Sequence, residues 1–202
     1  MKILGLDPGE STGFALIEVA GEEMNLIDYG EIPVLNPGLD GLLESVWFWL
    51  TGGFVDTQIA FEEFIASQKL RTTRESVEVR GVIRLYCRSY CKEWAAYYPA
   101  TVRSQLGVTN KREARDFINK LLGFKLRGRD HVSDALAVAL CHALKLGLWT
   151  PHIDVSKGAD FSLDRKLGGK QVKNKLAEED VRSMSSEELR QAMNSGKIKI
   201  GR

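Results

Sequence analysis

Three short apolar runs joined only by turns, followed by a fourth that can be reached only through a helix, constrain the fold of this chain more than any other feature. Residues 2–7, 13–20 and 24–34 are rich in Ile, Leu and Val and read as strands, the third ending near Pro33. Asp7-Pro8-Gly9-Glu10-Ser11-Thr12-Gly13 and Gly21-Glu22-Glu23 are turn-forming stretches too short for a crossover, so the three strands form an antiparallel meander. After the breaker Asn36-Pro37-Gly38, apolar positions at Leu39, Leu42, Leu43, Val46 and Leu50 recur at helical spacing. Residues 58–64 then form a strand entered by a crossover through that helix, which makes it parallel to the first.

The remainder alternates helix and strand. Thr72 and Glu75 have capping-box spacing, and Val79, Val82, Ile83, Tyr86, Tyr90 and Trp94 continue a helical stripe, predicting one long helix over residues 72–94. Residues 95–98 read as a short fifth strand closed by Pro99. Thr109 is the expected cap of a helix that runs to Leu122 and stops at Gly123, and residues 130–146 form a last, mostly apolar helix ended by Gly147. The order βββαβαβαα predicts an α/β fold with a mixed five-stranded sheet flanked by helices. Past Pro151 the apolar periodicity fades. One domain over residues 1–150 is expected, with a basic, partly flexible tail over 151–202 that carries a short helix between Ser185 and Gly196.

No apolar run approaches the roughly 18 residues that a membrane-spanning helix needs, and Met1 leads directly into the first strand without the pattern of a secretory signal. A cytoplasmic protein is the expectation. Cys87, Cys91 and Cys141 are an odd set that fits a reducing compartment rather than a disulfide framework. Cys87 and Cys91 lie one helical turn apart, but no second Cys/His pair has zinc spacing, so core or boundary positions are expected.

The formal net charge of +1 conceals two blocks of opposite sign. Residues 1–65 contain one Lys and twelve acids, whereas residues 66–129 contain fifteen Lys and Arg against five acids. Clustered cations of this kind suit a polyanion such as a nucleic-acid backbone, although a solvated helix face has the same composition.

Asp7 closes an apolar strand just before Pro8-Gly9, which projects its carboxylate from the C-terminal edge of the sheet, where α/β proteins bind ligands. Phe61-Glu62-Glu63-Phe64 places two carboxylates in the strand expected beside it. A carboxylate in an apolar strand is costly unless it is paired or binds a metal. Alternation sends Glu62 and Glu63 to opposite faces; Glu62 is the expected site residue and Glu63 the alternate. His131 and Asp134, three residues apart, share one face at the start of the last helix, with Asp130 about 100° away around it.

The stretch Ile3-Leu4-Gly5-Leu6-Asp7-Pro8-Gly9, the later Gly13, the strand Ile59-Ala60-Phe61-Glu62, and His131-x-x-Asp134-Ala135-Leu136-Ala137-Val138-Ala139 together resemble the RuvC family of Holliday-junction resolvases. They stand in the family's order and cover roughly residues 1–148. The resemblance implies an RNase H-like fold. It matches Asp7 to the family's first-strand aspartate, Glu62 to its second carboxylate and Asp134 to its last aspartate, with His131 at a position where some members carry His and others Asp. Arg103 in Pro99-Ala100-Thr101-Val102-Arg103 stands where the family usually has Lys, and Lys111 is the candidate for the other basic residue.

The same resemblance implies a structure-selective endodeoxyribonuclease that resolves four-way junctions by paired nicks. Catalysis would fall to Asp7, Glu62, His131, Asp134 and Lys111, and metal binding to the first four. Two divalent ions per active site are implied, Mg²⁺ with Mn²⁺ tolerated. The partners implied are branched DNA and a second copy of the chain, with the helix over 72–94 as the interface element, and no membrane. Lys69, Arg71, Arg74, Arg103, Lys111, Arg112, Arg115 and Arg127 are the candidate DNA-binding residues. An aromatic that wedges into the junction follows the second carboxylate in many members; here Phe64 arrives one position early, and its role stays open. Broader cutting of flaps, forks and three-way branches, or a DNA-binding scaffold without catalysis, are the alternatives. A phosphotransferase like the sugar and acetate kinases would use a similar first turn, but needs a second lobe for which this chain is too short.

Overall fold

The computed structural model describes residues 1–63, 70–126 and 130–151, with side chains not described at residues 70–73. A mixed sheet in the order β3-β2-β1-β4-β5 forms its centre. The meander is β1 (Lys2–Asp7), β2 (Gly13–Ala20) and β3 (Glu23–Glu31), antiparallel throughout. Helix α1 (Gly38–Thr51) carries the chain over to β4 (Thr57–Glu62), which pairs in parallel with β1. Helix α2 (Leu70–Ser89) returns it to β5 (Trp94–Tyr97), parallel to β4. Three helices follow, α3 (Pro99–Gln105), α4 (Lys111–Leu122) and α5 (Asp130–Lys145).

The sheet separates two apolar layers, and strand alternation assigns each side chain to one of them. Ile3, Ala15, Ile17 and Ala60 face α5, with α3 and α4 outside it. Leu4, Leu6, Phe14, Ile59 and Phe61 face α1 and α2, where Val46, Leu50, Val79 and Ile83 meet them. Because β1 is central and covered on both faces, it reads as a continuous apolar run. The crossover prediction therefore holds, and with it the mixed five-stranded sheet.

Several boundaries differ from the sequence reading, each for a local reason. Helix α2 ends at Ser89 and does not reach Trp94. Cys91 adopts φ 48°, and the amides of Cys91 and Lys92 turn back to the carbonyls of Arg88 and Cys87, a Schellman closure made without glycine. Trp94 starts β5 instead. At its other end α2 begins at Leu70, which puts Glu75 in the second turn rather than in a capping box. Asn110, not Thr109, is the cap of α4: its side chain accepts from the Glu113 amide, while the Thr109 hydroxyl donates to the Glu113 carboxylate. Helix α3 was not expected, since Pro99 reads as a strand terminator; here it occupies the first turn of a helix, where its missing N–H costs nothing. Cys87 and Cys141 are buried and Cys91 is exposed. Among the described residues, no helix is long and apolar enough to cross a membrane. Residues 152–202, and with them the tail and its expected short helix, lie outside the described residues.

Candidate active site

Two glycines decide how close the last helix comes to the sheet. A Cβ on Gly5, in the middle of β1, would run into the carbonyl oxygen of Ala135 and the side chain of Ala139. One on Gly13, at the start of β2, would run into the backbone of His131. Without those atoms, α5 lies directly against β1 and β2, and its first turn stands over the end of β1.

On the α5 face of the sheet, alternation then places Asp7 at the end of β1 and Glu62 at the end of β4. The neighbouring register pair Leu6 and Phe61 fixes the two strand ends side by side. His131 Nδ1 lies 2.8 Å from Asp7 Oδ2. A carboxylate can only accept, so this contact selects the tautomer with the proton on Nδ1 and leaves Nε2 its lone pair. The turn between β1 and β2 is held by Thr12, a buried residue whose hydroxyl donates to the Gly9 carbonyl at 3.0 Å, and by Ser11, which donates to Glu31 at 3.0 Å.

The cations arrive from the helices outside α5. Lys111, the first residue of α4, sets its Nζ 2.6 Å from Asp134 Oδ2 and 3.8 Å from Asp130 Oδ2. Arg115, one turn further on, also binds Asp130. Asp130, about 100° around the helix from His131, ties α4 to α5. Arg103, on α3, is close enough to Glu62 for its charge to act on that carboxyl.

The charge balance of this cluster is negative. Burial, reinforced by the charges of Asp7 and Asp134, pushes the Glu62 carboxyl up to about 8 against the pull of Lys111 and Arg103. Burial also raises Asp134, opposed by its hydrogen bond to Lys111. Burial works against the Lys111 ammonium, yet the hydrogen bond and charge of Asp134 hold its pKa above the ordinary value. His131 is raised mainly by its hydrogen bond to Asp7. Glu63, the alternate site residue, points to the opposite face, where Arg80 and Arg84 bind its carboxylate.

The structure thus brings Asp7, Glu62, His131, Asp134, Lys111 and Arg103 together. Arg112 is exposed in the first turn of α4, and Arg115 flanks the site through Asp130. Arg74 is exposed and paired with Glu78 one helical turn away. Lys69, Arg127 and Phe64 lie outside the described residues, as does the side chain of Arg71. Among the described residues, no three His, Cys, Asp or Glu side chains already close round a common point, Lys111 and His131 being the immediate partners of Asp134 and Asp7. What sequence reasoning missed is α3 and the part played by Asp130. Asp130's proximity to Lys111 and Arg115 depends on how α4 docks against α5, for which no sequence motif exists.

Residues 3–142 match the family model described as crossover junction endodeoxyribonuclease RuvC. The crossover junction endodeoxyribonuclease RuvC of Caldicellulosiruptor saccharolyticus is 32% identical over 155 residues, covering 71% of this chain and 93% of its own length. That of Halothermothrix orenii is 29% identical over 179 residues, covering 84% of this chain and 99% of its own. Among solved structures, T. thermophilus RuvC in complex with a Holliday junction substrate superposes with a TM-score of 0.58 at 22% identity, over 73% of this chain and 96% of that one. The yeast mitochondrial Holliday junction resolvase Ydc2 gives 0.55 at 12% identity, over 71% and 80%. At these identities the structural likeness establishes the fold, which is RNase H-like. With the family model matched from β1 through most of α5, this chain belongs to the crossover junction endodeoxyribonuclease RuvC family.

Proposed function

We propose that this chain is a metal-dependent endodeoxyribonuclease that resolves four-way DNA junctions by paired nicks. The observation that carries the reading is the convergence of Asp7, Glu62 and Asp134 from three separate elements, with His131 against Asp7 and Lys111 against Asp134. A divalent cation fits this cluster. Its donors are carboxylate oxygens and one imidazole, which suit Mg²⁺ and leave room for Mn²⁺. Its buried charge also asks for a cation, since burial, reinforced by the carboxylates of Asp7 and Asp134, pushes Glu62 up to about 8 despite two basic residues nearby.

Asp7, Glu62, Asp134 and His131 would hold two such ions. When bound, the ions supply an activated water and neutralise charge on the reacting phosphate. His131, its Nδ1–H held by Asp7, presents Nε2 either as a ligand or to orient the attacking water. Lys111, half-exposed beside Asp134, would turn to a phosphate oxygen, and Arg103 stands near Glu62. Lys69, Arg71, Arg74, Arg112, Arg115 and Arg127 would make phosphate contacts that read the shape of the branch rather than its sequence. A junction has near two-fold symmetry, which a homodimer would match. Helix α2 exposes Val77, Gly81 and Leu85 at successive turns, a surface suited to a second copy.

Cleavage of synthetic four-way, three-way, flap and linear DNA, with Mg²⁺ and without, tests the reading. Paired nicks in the four-way junction, dependent on the metal, are expected. Equal or faster cutting of linear duplex would sink junction resolution, and no cutting of any branch would leave a binding scaffold. Asp7→Asn should still bind the junction while cutting falls by about 10³-fold, the scale of several kcal/mol of transition-state stabilisation. Undiminished cutting would remove Asp7 from the mechanism.

A further inference from the structure

Glu62 stands on the last residue of β4, where a strand end is free to fray. What holds it lies on the other side of the sheet. Phe61, directly before it, is fully buried and stacked on Trp94 with ring centroids 5.5 Å apart. Arg84 covers that pair, its guanidinium carbon 5.5 Å from the Phe61 ring and 5.8 Å from the Trp94 ring. Glu63, directly after it, accepts from Arg80 at 2.8 Å and from Arg84 at 2.5 Å, one carboxylate oxygen to each. Arg80 is only 4% exposed, and its Nε donates to the Ser76 carbonyl at 2.9 Å. The Glu63 amide extends the ladder to β5 by donating to Tyr97 at 2.7 Å.

Both neighbours of Glu62 are therefore held on the α2 face of the sheet, Phe61 by stacking on Trp94 of β5 beneath Arg84 and Glu63 by two charge-assisted hydrogen bonds from α2. With residues 61 and 63 fixed to one face, alternation leaves residue 62 no direction but the opposite one, toward Asp7 and Asp134. We propose that Glu63, clamped by Arg80 and Arg84, is a positioning residue that holds the Glu62 carboxylate ready for a metal ion. Its negative charge is needed as well as its shape, because a neutral partner takes one carboxylate charge away from the buried Arg80 guanidinium and leaves the strand end freer to shift. The proposal rests on the assignment of Glu62 to the metal site made above.

The test is Mn²⁺ binding to the full chain without DNA, measured by calorimetry and expressed per folded molecule, with thermal unfolding recorded alongside. Glu63→Gln should weaken Mn²⁺ binding about 10-fold or more, the scale on which partners behind a metal ligand act. Affinity for the four-way junction without metal should stay unchanged. A role confined to stability would lower the unfolding temperature and the folded fraction but leave the Mn²⁺ midpoint in place, and that result overturns the proposal. Should Glu63→Gln fail to fold, Arg84→Met decides: it keeps the apolar cover over Phe61 and Trp94 and removes one arm of the clamp. A weakened Mn²⁺ midpoint in Arg84→Met supports the proposal, and a wild-type midpoint overturns it. Wild-type protein that takes up no Mn²⁺ would instead defeat the metal-site reading, and this proposal with it.

Discussion

His131 Nδ1 and Asp7 Oδ2 lie 2.8 Å apart, joining the first turn of the last helix to the last residue of the first strand across 124 positions of sequence. Neither partner could reach the other if α5 stood at an ordinary helix-to-sheet distance. The contact depends on Gly13, whose missing Cβ leaves room for the His131 backbone.

Gly13→Ala is therefore expected to cost about 1–3 kcal/mol of stability, the usual range for forcing an extra methyl into a packed contact. Junction cutting should fall further than stability, because the strain is relieved by lifting His131 and its helix turn off Asp7. Denaturant unfolding and single-turnover cleavage, measured on the same preparation, check the pair of effects. Wild-type values for both would mean that α5 does not approach as closely as the structure has it.

Glu62 makes the metal-free protein sensitive to alkali. Its carboxyl is near 4.5 in the ordinary state and about 8 when folded, so between those values the folded chain keeps a proton that the unfolded chain has released. Stability from this group is complete below the lower value and is lost as pH rises toward the upper one, by at most about 1.4 kcal/mol per pH unit. Asp134 and His131 are also raised and act with the same sign. Thermal unfolding in a chelator should thus fall from pH 5.5 to 8, and Glu62→Gln should flatten the slope. A metal-free profile that rises over this range would contradict the site's charge balance.

Lys111→Met removes the ammonium that now neutralises Asp134. The lysine itself is half-exposed, although Asp134 is more buried, so stability should change by about 1 kcal/mol. Cutting should fall by about 10²-fold, the effect of losing one cation that stabilises transition-state charge. Steady-state cleavage with an unfolding control separates the two, and an unchanged kcat would confine Lys111 to a structural ion pair.

Helix α2 offers a test of assembly that leaves the site alone. A side chain on Gly81 meets nothing within 4 Å and would add helix propensity. Gly81→Glu should therefore fold as well as wild type while disrupting a dimer formed through Val77, Gly81 and Leu85. Sedimentation velocity distinguishes the species. A dimer that persists in Gly81→Glu would move the interface elsewhere.

Much of the architecture was legible because it rests on local chemistry. Turn residues, strand alternation and helical periodicity need only neighbouring positions, and they yielded the meander, the crossover to β4 and the last helix, expected over 130–146 and found as Asp130–Lys145. Apart from the missed α3, the errors fell at element ends. Asn110 and Thr109 are both good caps, and only the backbone decides between them. The stripe running on to Trp94 concealed a Schellman turn at Cys91, a residue type that rarely adopts φ 48°.

Local sequence was enough to place Asp7, Glu62 and the His131–Asp134 pair at element ends and to send Glu62 and Glu63 opposite ways. Glu62 was the expected site residue and Glu63 the alternate, but alternation alone does not tell which of the two looks into the site. That was decided by the tertiary structure, because a strand's two faces become different only when α5 covers one and Arg80 and Arg84 on α2 cover the other. Proximity of Asp7 to His131, and of Lys111 to Asp134, was decided in the same way. Those distances depend on how closely helices pack on the sheet, a property of volumes that meet only once the chain has folded.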